Sequence, residues 1–359
     1  MKFSCHVQTR ISDYRIAKDL EDWGYDAVWF PDTQMMWSDC YATMALAAQA
    51  TSKIHIGTGV AITGTRIAPT TAASISSINV LAPGRTFLGI GTGHTAMRVM
   101  GQDPMPVKEF REYLRVVRAM LKGHEVDYSY RDRTTAIKWQ NHGGGFRNTF
   151  DEIPIYVAAN GPLALRAAGA YGDGLVSIFN EQPEIMKANL ELIRAGAEKV
   201  GRTVDDSFHT VSLCHAVVLR PGEKLTDERV VEVAGSWVVT ALHFVYEIWR
   251  YTKDDNVIPP FMRNIWDQYL ERVKHIPLPA EKAHQLLHEG HCSYYPAVER
   301  ALLTPEMIQG TCIVGGPAEV AEQIRAAGRA GLKEVSLLPP LVHLRDVARE
   351  FMKKVVPLL

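Results

Sequence analysis

Short apolar runs alternate with longer segments whose apolar residues recur every three or four positions, and the alternation persists along most of the chain. A bounded apolar run of four to eight residues reads as a buried strand, and recurrence at helical spacing reads as a helix. Strands are therefore predicted over residues 2–8, 26–30, 54–60, 85–91, 155–159, 175–178, 208–219 and 334–338. Helices are predicted over 14–23, 40–50, 72–81, 108–121, 163–171, 184–200 and 344–356. Repeated strand-helix units imply a parallel sheet, and eight such strands predict a (β/α)8 TIM barrel. Two stretches break the rhythm: a polar hairpin at 125–148 and a helical insertion at 230–305, before the eighth unit. A barrel of this kind takes about 250 residues, so 359 residues accommodate both insertions in one domain spanning 1–359.

Bulk composition narrows the partners. With 39 basic and 40 acidic residues the formal net charge is -1, so no bulk electrostatic attraction to nucleic acid or to an anionic membrane is expected. A small-molecule substrate becomes the expected partner. The first residues lack an apolar signal core, and no apolar stretch is long enough to span a bilayer, which predicts a cytoplasmic protein. The cysteines Cys5, Cys40, Cys214, Cys292 and Cys312 are odd in number and scattered; they suggest buried thiols rather than a disulfide framework or a zinc site.

In a TIM barrel, function sits at the carboxyl ends of the strands, and the predicted ends carry chemistry. The first leads to His6 and Gln8, the second to Asp32, the third to Gly59 and Val60, and the fourth to Gly91-Thr92-Gly93-His94. The fifth runs through Asn160 and Gly161 into a helix that has Pro162 in its first turn. Free amides and the helix dipole make such a terminus an anion site, so a phosphate is expected there. Gly91 to Ala96 also matches a dinucleotide-binding spacing. That alternative needs a helix opening at the glycines, whereas the next predicted helix begins near Lys108. His284, His288 and His291 approach metal-ligand spacing without an H-E-x-x-H pattern, so they read as a wet helix face and no metal is expected.

Taken together, Trp29-Phe30-Pro31-Asp32, Ile56 to Val60, Ala82 to His94 and Ile153 to Pro162 occur in an order that resembles the luciferase-like flavin and deazaflavin oxidoreductases. The resemblance runs from the first strand to Val314 to Ile324 and the strand beyond. It implies a bacterial-luciferase type of barrel with a non-prolyl cis peptide at Gly59-Val60 behind the cofactor ring. It further implies cofactor contacts from Thr92, Gly93, Asn160 and Gly161. Overall spacing is similar to the methylene-tetrahydromethanopterin reductases and the deazaflavin-dependent sugar-phosphate dehydrogenases, which use coenzyme F-420.

Two positions depart from that branch: Thr33 follows Asp32, and His94 stands where an acidic residue is expected. These departures favour a two-component monooxygenase that takes reduced FMN from a partner flavin reductase and reacts with O2. The alternative is an F-420-dependent reductase or dehydrogenase; a non-catalytic flavin-binding protein is a third reading. In the monooxygenase reading His94 is the proton donor, because an imidazole exchanges protons near neutrality. Asp32, His6 and Trp37 line the ring pocket, and Arg66 meets an anionic substrate or the cofactor tail. Trp237, Phe244, Trp249 and Trp266 make the second insertion aromatic, as core packing, a dimer surface or a hydrophobic lid does, and they favour an apolar or aromatic substrate. A homodimer is expected by resemblance.

Overall fold

The computed structural model describes residues 1–141, 143–178 and 183–359; His142, inside the expected hairpin, lies outside them. Eight parallel strands close on themselves in chain order. They are β1 (Lys2–His6), β2 (Ala27–Phe30), β3 (His55–Ile62), β4 (Thr86–Gly91), β5 (Ile155–Ala158), β6 (Gly174–Ile178), β7 (His209–Cys214) and β8 (Glu334–Leu337). Closure is made by β8 on β1, with Lys2 opposite Glu334 and Cys5 opposite Leu337. Helices follow the strands, among them Cys40–Ala50, Ala68–Leu81, Val107–Leu121, Pro162–Tyr171 and Leu344–Lys354. The expected TIM barrel is therefore present.

Because side chains alternate along a strand, each strand sends one set outward to the helices and one set inward. Outward residues such as Cys5, Val28, Phe30, Ile56, Leu88 and Ile155 join the helices in the main core. Inward, Ala27, Trp29, Phe87, Val176 and Val211 fill the barrel, with Tyr156 and Ala158 against them. Trp29 and Phe87 pack with ring centroids 4.3 Å apart. The interior is thus solid below its carboxyl end.

Two predicted elements change on inspection, and one unpredicted element is present. The strand expected at 208–219 is two strands: β7 ends at Cys214, and Ala216–Val218 pairs instead with Ile313–Gly315 outside the barrel. His215 marks the break, its carbonyl accepting from the Ile313 amide at 2.9 Å. The helix expected at 72–81 starts at Ala68, with Pro69 in its first turn, where a missing amide hydrogen costs nothing. A short helix, His94–Arg98, was not expected; five residues are too few for a periodic pattern to register.

Between β7 and β8 lies the helical insertion, led by Glu228–Thr252 and followed by Arg263–Lys274. It has its own core, built from Trp237, Leu242, Trp266, Tyr269 and Met307. Trp37, Ile178 and Leu213, at the carboxyl ends of barrel strands or in the loops after them, pack against that core. The insertion therefore borders the end of the barrel where chemistry is expected. The other insertion is a two-stranded hairpin, Val126–Tyr130 with Arg133–Ile137. Among the described residues no helix is long and apolar enough to cross a membrane.

Candidate active site at the carboxyl mouth of the barrel

The mouth opens because its top layer is small. Pairing between β3 and β4 shifts register between Thr58 and Ala61, an irregularity that re-aims a strand near its end. The intervening Gly59-Val60 peptide is cis, as the resemblance implies. A methyl group at Gly59 would lie 2.6 Å from His6 Cδ2 and 2.6 Å from Trp29 Cβ, so only glycine fits. Gly59, Val60, Thr92, Ala158, Ile178 and Leu213 are half-buried where the rest of the barrel is closed. They outline an opening floored by His6 and Trp29.

His6 stacks on Trp29 with centroids 4.9 Å apart and planes 11° from parallel. Its Nδ1 lies 2.7 Å from Ser336 Oγ, while Nε2 is buried without a hydrogen-bond partner. Burial pushes this imidazole down to about 3, so it is neutral at physiological pH. At the end of β4, Gly93 adopts φ +87°, a left-handed conformation that favours glycine. It caps the helix His94–Arg98, so His94 enters the site from a helix start rather than from a loop. Burial lowers His94 to about 4, its Nδ1 lacks a partner, and its ring lies 5.3 Å from Phe244 of the insertion.

After β5, Gly161 is the amino-terminal cap of Pro162–Tyr171, and Asn160, Gly161 and Pro162 are exposed. Nothing lies within 4 Å of where a Gly161 side chain would begin. This helix start is exposed and unobstructed, as a phosphate site requires.

Asp32 and Arg66 form a unit. Arg66 Nη1 lies 2.5 Å from Asp32 Oδ2, Nη2 lies 2.8 Å from Asp39 Oδ2, and the guanidinium covers the Tyr41 ring at 4.8 Å. Burial opposes the Arg66 charge, but Asp32 raises its pKa above the ordinary value. The expectation that Arg66 greets an anion meets a guanidinium already holding two carboxylates. Trp37 donates from Nε1 to Ser293 Oγ at 3.2 Å, tying the loop after β2 to the insertion.

Histidines His288 and His291 correct the wet-face expectation. His288 is buried with Nε2 3.3 Å from Glu247 Oε1, and its ring lies 5.8 Å from that of His291. His243 adds a third ring 5.6 Å from His288 and sits 3.1 Å from Glu299 Oε1. Burial first, with the neighbouring histidines, drives the His291 pKa well below its ordinary value. His288 is lowered by burial too, although Glu247 works against it. Among the described residues no group of three or more such side chains is disposed to hold a metal ion.

A family described as luciferase-like monooxygenase matches residues 12–334. The chain belongs to that family. A 5,10-methylenetetrahydromethanopterin reductase from Methanolobus tindarius is 35% identical over 190 residues, covering 52% of this chain and 55% of the relative. An F-420-dependent glucose-6-phosphate dehydrogenase from Mycolicibacterium fortuitum is 32% identical over 177 residues, covering 46% of this chain and 50% of the relative. The chain thus spans about half the length of these two relatives. Among solved structures, the coenzyme F-420 dependent tetrahydromethanopterin reductase from Methanopyrus kandleri superposes with a TM-score of 0.67 at 21% identity, covering 99% of both chains.

A luciferase-like barrel implies a flavin or deazaflavin, and the residues at the mouth suit one. A flat ring needs a low wall, which Gly59, Gly91 and Ala158 offer, since a methyl group on Gly91 would lie 3.3 Å from Ala158 Cβ. A ring with polar edges needs partners, and His6 Nε2 and His94 Nδ1 are buried without any. The exposed helix start at Gly161 suits an anionic tail.

Sequence reasoning missed Ser336, which holds His6, and Glu247, which holds His288. Neither had a local signal, because their partners lie 330 and 41 residues away. It also missed Gln8's role: Nε2 donates to the carbonyls of Cys292, at 2.5 Å, and Pro339, at 2.9 Å, fastening β1 to the insertion.

Proposed function

We propose that this chain is an F-420-dependent oxidoreductase that moves a hydride to or from a small-molecule substrate at the carboxyl mouth of its barrel. The observation that carries the choice of cofactor is the sequence likeness to an F-420-dependent dehydrogenase at 32% identity. It outweighs the two departures at Thr33 and His94 that favoured reduced FMN, O2 and a partner reductase, because those departures concern proton-carrying side chains and not the cofactor's frame.

Bound deazaflavin supplies two-electron chemistry that no side chain supplies alone. The protein's part is to bind, orient and handle protons. Gly59, Val60, Thr92 and Gly93 shape the ring site, and the helix start at Asn160 and Gly161 holds the anionic tail. His6, fixed by Ser336 and stacked on Trp29, offers Nε2 to the ring edge. His94 carries the proton that a substrate oxygen gains or gives up. A neutral imidazole accepts the proton as a hydroxyl is oxidised, and the imidazolium so formed returns it when a carbonyl is reduced, provided the oxygen comes within hydrogen-bond reach. Asp32, through Arg66 and Asp39, is a positioning residue for the loop that bears Trp37.

Anaerobic titration with F-420 and with FMN, followed by absorbance and fluorescence, tests this reading. Tight binding of F-420, and bleaching of its oxidised absorbance once an oxidisable substrate is added, is the expected result. A protein that binds FMN but not F-420, and that consumes O2 when given reduced FMN, overturns it.

A further inference from the structure

A second opening adjoins the mouth. A cavity of about 360 Å³ lies between the loop after β2, the helix after β4 and the insertion, walled by Met35, Trp37, Val99, His288, His291 and Ser293. Two of these walls are also tied together, since Trp37 donates to Ser293. His94 begins the short helix that Val99 caps, and it lies close enough to His288 and His291 for their charges to act on one another.

We infer that this cavity is the substrate pocket and that it receives an uncharged hydroxyl or carbonyl compound rather than a phosphorylated or carboxylated one. The inference rests on the oxidoreductase reading above and adds the substrate class to it. Three observations carry it. First, no lysine or arginine lines the cavity among the described residues, and Glu289 does. Recognition of phosphate or carboxylate draws on Arg or Lys, and a lining carboxylate repels anions.

Second, the cations nearby are already paired. Arg98 reaches Asp103 at 2.9 Å and Glu247 at 3.6 Å, Arg250 reaches Glu247 at 2.9 Å, and Arg66 is held by Asp32 and Asp39. Drawing Arg66 to an anion would take the cation from buried Asp32, and drawing Arg98 or Arg250 would weaken the pairing of Glu247, which is 1% exposed. Third, Nδ1 of His288 and Nδ1 of His291 are buried without hydrogen-bond partners. Such atoms are costly until something satisfies them. A neutral imidazole nitrogen donates to a carbonyl or accepts from a hydroxyl according to its tautomer, which matches a polar, uncharged ligand. Burial keeps both rings neutral, so they offer hydrogen bonds without a compensating positive charge. Trp37 and Met35 add apolar wall for the ligand's carbon frame.

The test uses the full chain labelled with nitrogen-15 at histidine, without cofactor, so that it does not depend on turnover. The probes are matched pairs: benzyl alcohol with benzyl phosphate, glucose with glucose 6-phosphate, and cyclohexanone with cyclohexanecarboxylate. At least one uncharged member is expected to shift the His288 and His291 imidazole resonances, with a dissociation constant at least tenfold below that of its charged counterpart. Tighter binding of the charged member in any pair, or no shift from any uncharged member, overturns the inference. A folded His291→Arg variant is expected to move the preference at least tenfold toward the phosphate ester; an unmoved preference counts against the pocket. Should that variant fail to fold, the titration of the unaltered protein decides alone. The two readings fail separately: histidine shifts without F-420 binding would sink the cofactor proposal, and F-420 binding without histidine shifts would sink the pocket.

Discussion

The two ends of the barrel interior bury polar groups in opposite ways. At the amino-terminal end Glu334 is enclosed and fully engaged. Oε1 accepts from Ser4 Oγ and, at 3.0 Å, from Trp29 Nε1, while Oε2 lies 2.7 Å from His209 Nε2. Burial pushes this carboxyl up, yet the hydrogen bonds, His209 first, hold it below its ordinary value. At the carboxyl end His6, His94, His288 and His291 each leave a buried ring nitrogen unpaired. A fold gains nothing from unpaired buried nitrogens, so groups of this kind point to ligands, whereas the closed network below points to stability. The same division of labour holds for TIM barrels in general.

Substitution at each end breaks the contrast differently, with the largest effect on stability expected at the closed end. Glu334→Ala takes the carboxylate from Ser4 Oγ and His209 together, leaving Trp29 Nε1 only its bond to Ser4 Oγ at 3.0 Å, and breaking a buried pair costs about 3–5 kcal/mol. Urea denaturation should show that loss, and a loss under about 1 kcal/mol would mean the network contributes little. Next comes Gly59→Ala, whose methyl group meets His6 and Trp29 at 2.6 Å. Overpacking of this kind costs about 1–3 kcal/mol, and F-420 affinity should fall with it, because the floor of the site must move.

Acid should act through the open end. The buried imidazoles of His6, near 3, and His94, near 4, titrate below the value of about 6.5 that histidine has in the unfolded chain. Their neutral forms cost nothing above that value. As pH falls from about 6.5 toward 4 the unfolded chain takes up protons that the folded one refuses, so stability declines. Thermal midpoints measured across this window should drop, and a His94→Asn variant should drop less steeply. At neutral pH His94→Ala should change stability by under about 1 kcal/mol, as substitutions outside a packed network do. It should nonetheless lower kcat by about 10²–10⁴-fold, the range for a lost proton carrier. The smallest effect on folding belongs to Asn160→Ala at the exposed helix start, within about 0.5 kcal/mol, with weakened F-420 affinity as its readout.

Much of the barrel was legible because parallel strands buried on both faces are apolar runs, as in Ala27–Phe30 and Thr86–Gly91. The glycines at Gly59, Gly91 and Gly93 stood out for a similar reason: they mark close approaches that any other side chain would block. What stayed hidden was long-range. The run from Phe208 to Leu219 holds no glycine, proline, asparagine or aspartate to mark a stop, so nothing in it showed that its second half leaves the barrel after His215 to pair with Ile313–Gly315. His288 and His291 carry the spacing of an exposed face, and the groups they meet are distant in the chain: Glu247 and His243, more than 40 residues earlier, for His288, and Trp37 for His291. Arg66 looked like a free cation because Asp32 and Asp39, its partners, lie 34 and 27 residues away.

The account's central claim is that unpaired imidazoles at the mouth await a cofactor while the network at the other end does not. Nitrogen-15 spectra of the histidine-labelled chain during a titration with F-420 test this most directly. His6 and His94 should shift as the cofactor satisfies their ring nitrogens, and His209, locked to Glu334, should stay within the linewidth. Unmoved His6 and His94 resonances at saturating F-420, or a His209 shift as large as theirs, would contradict it.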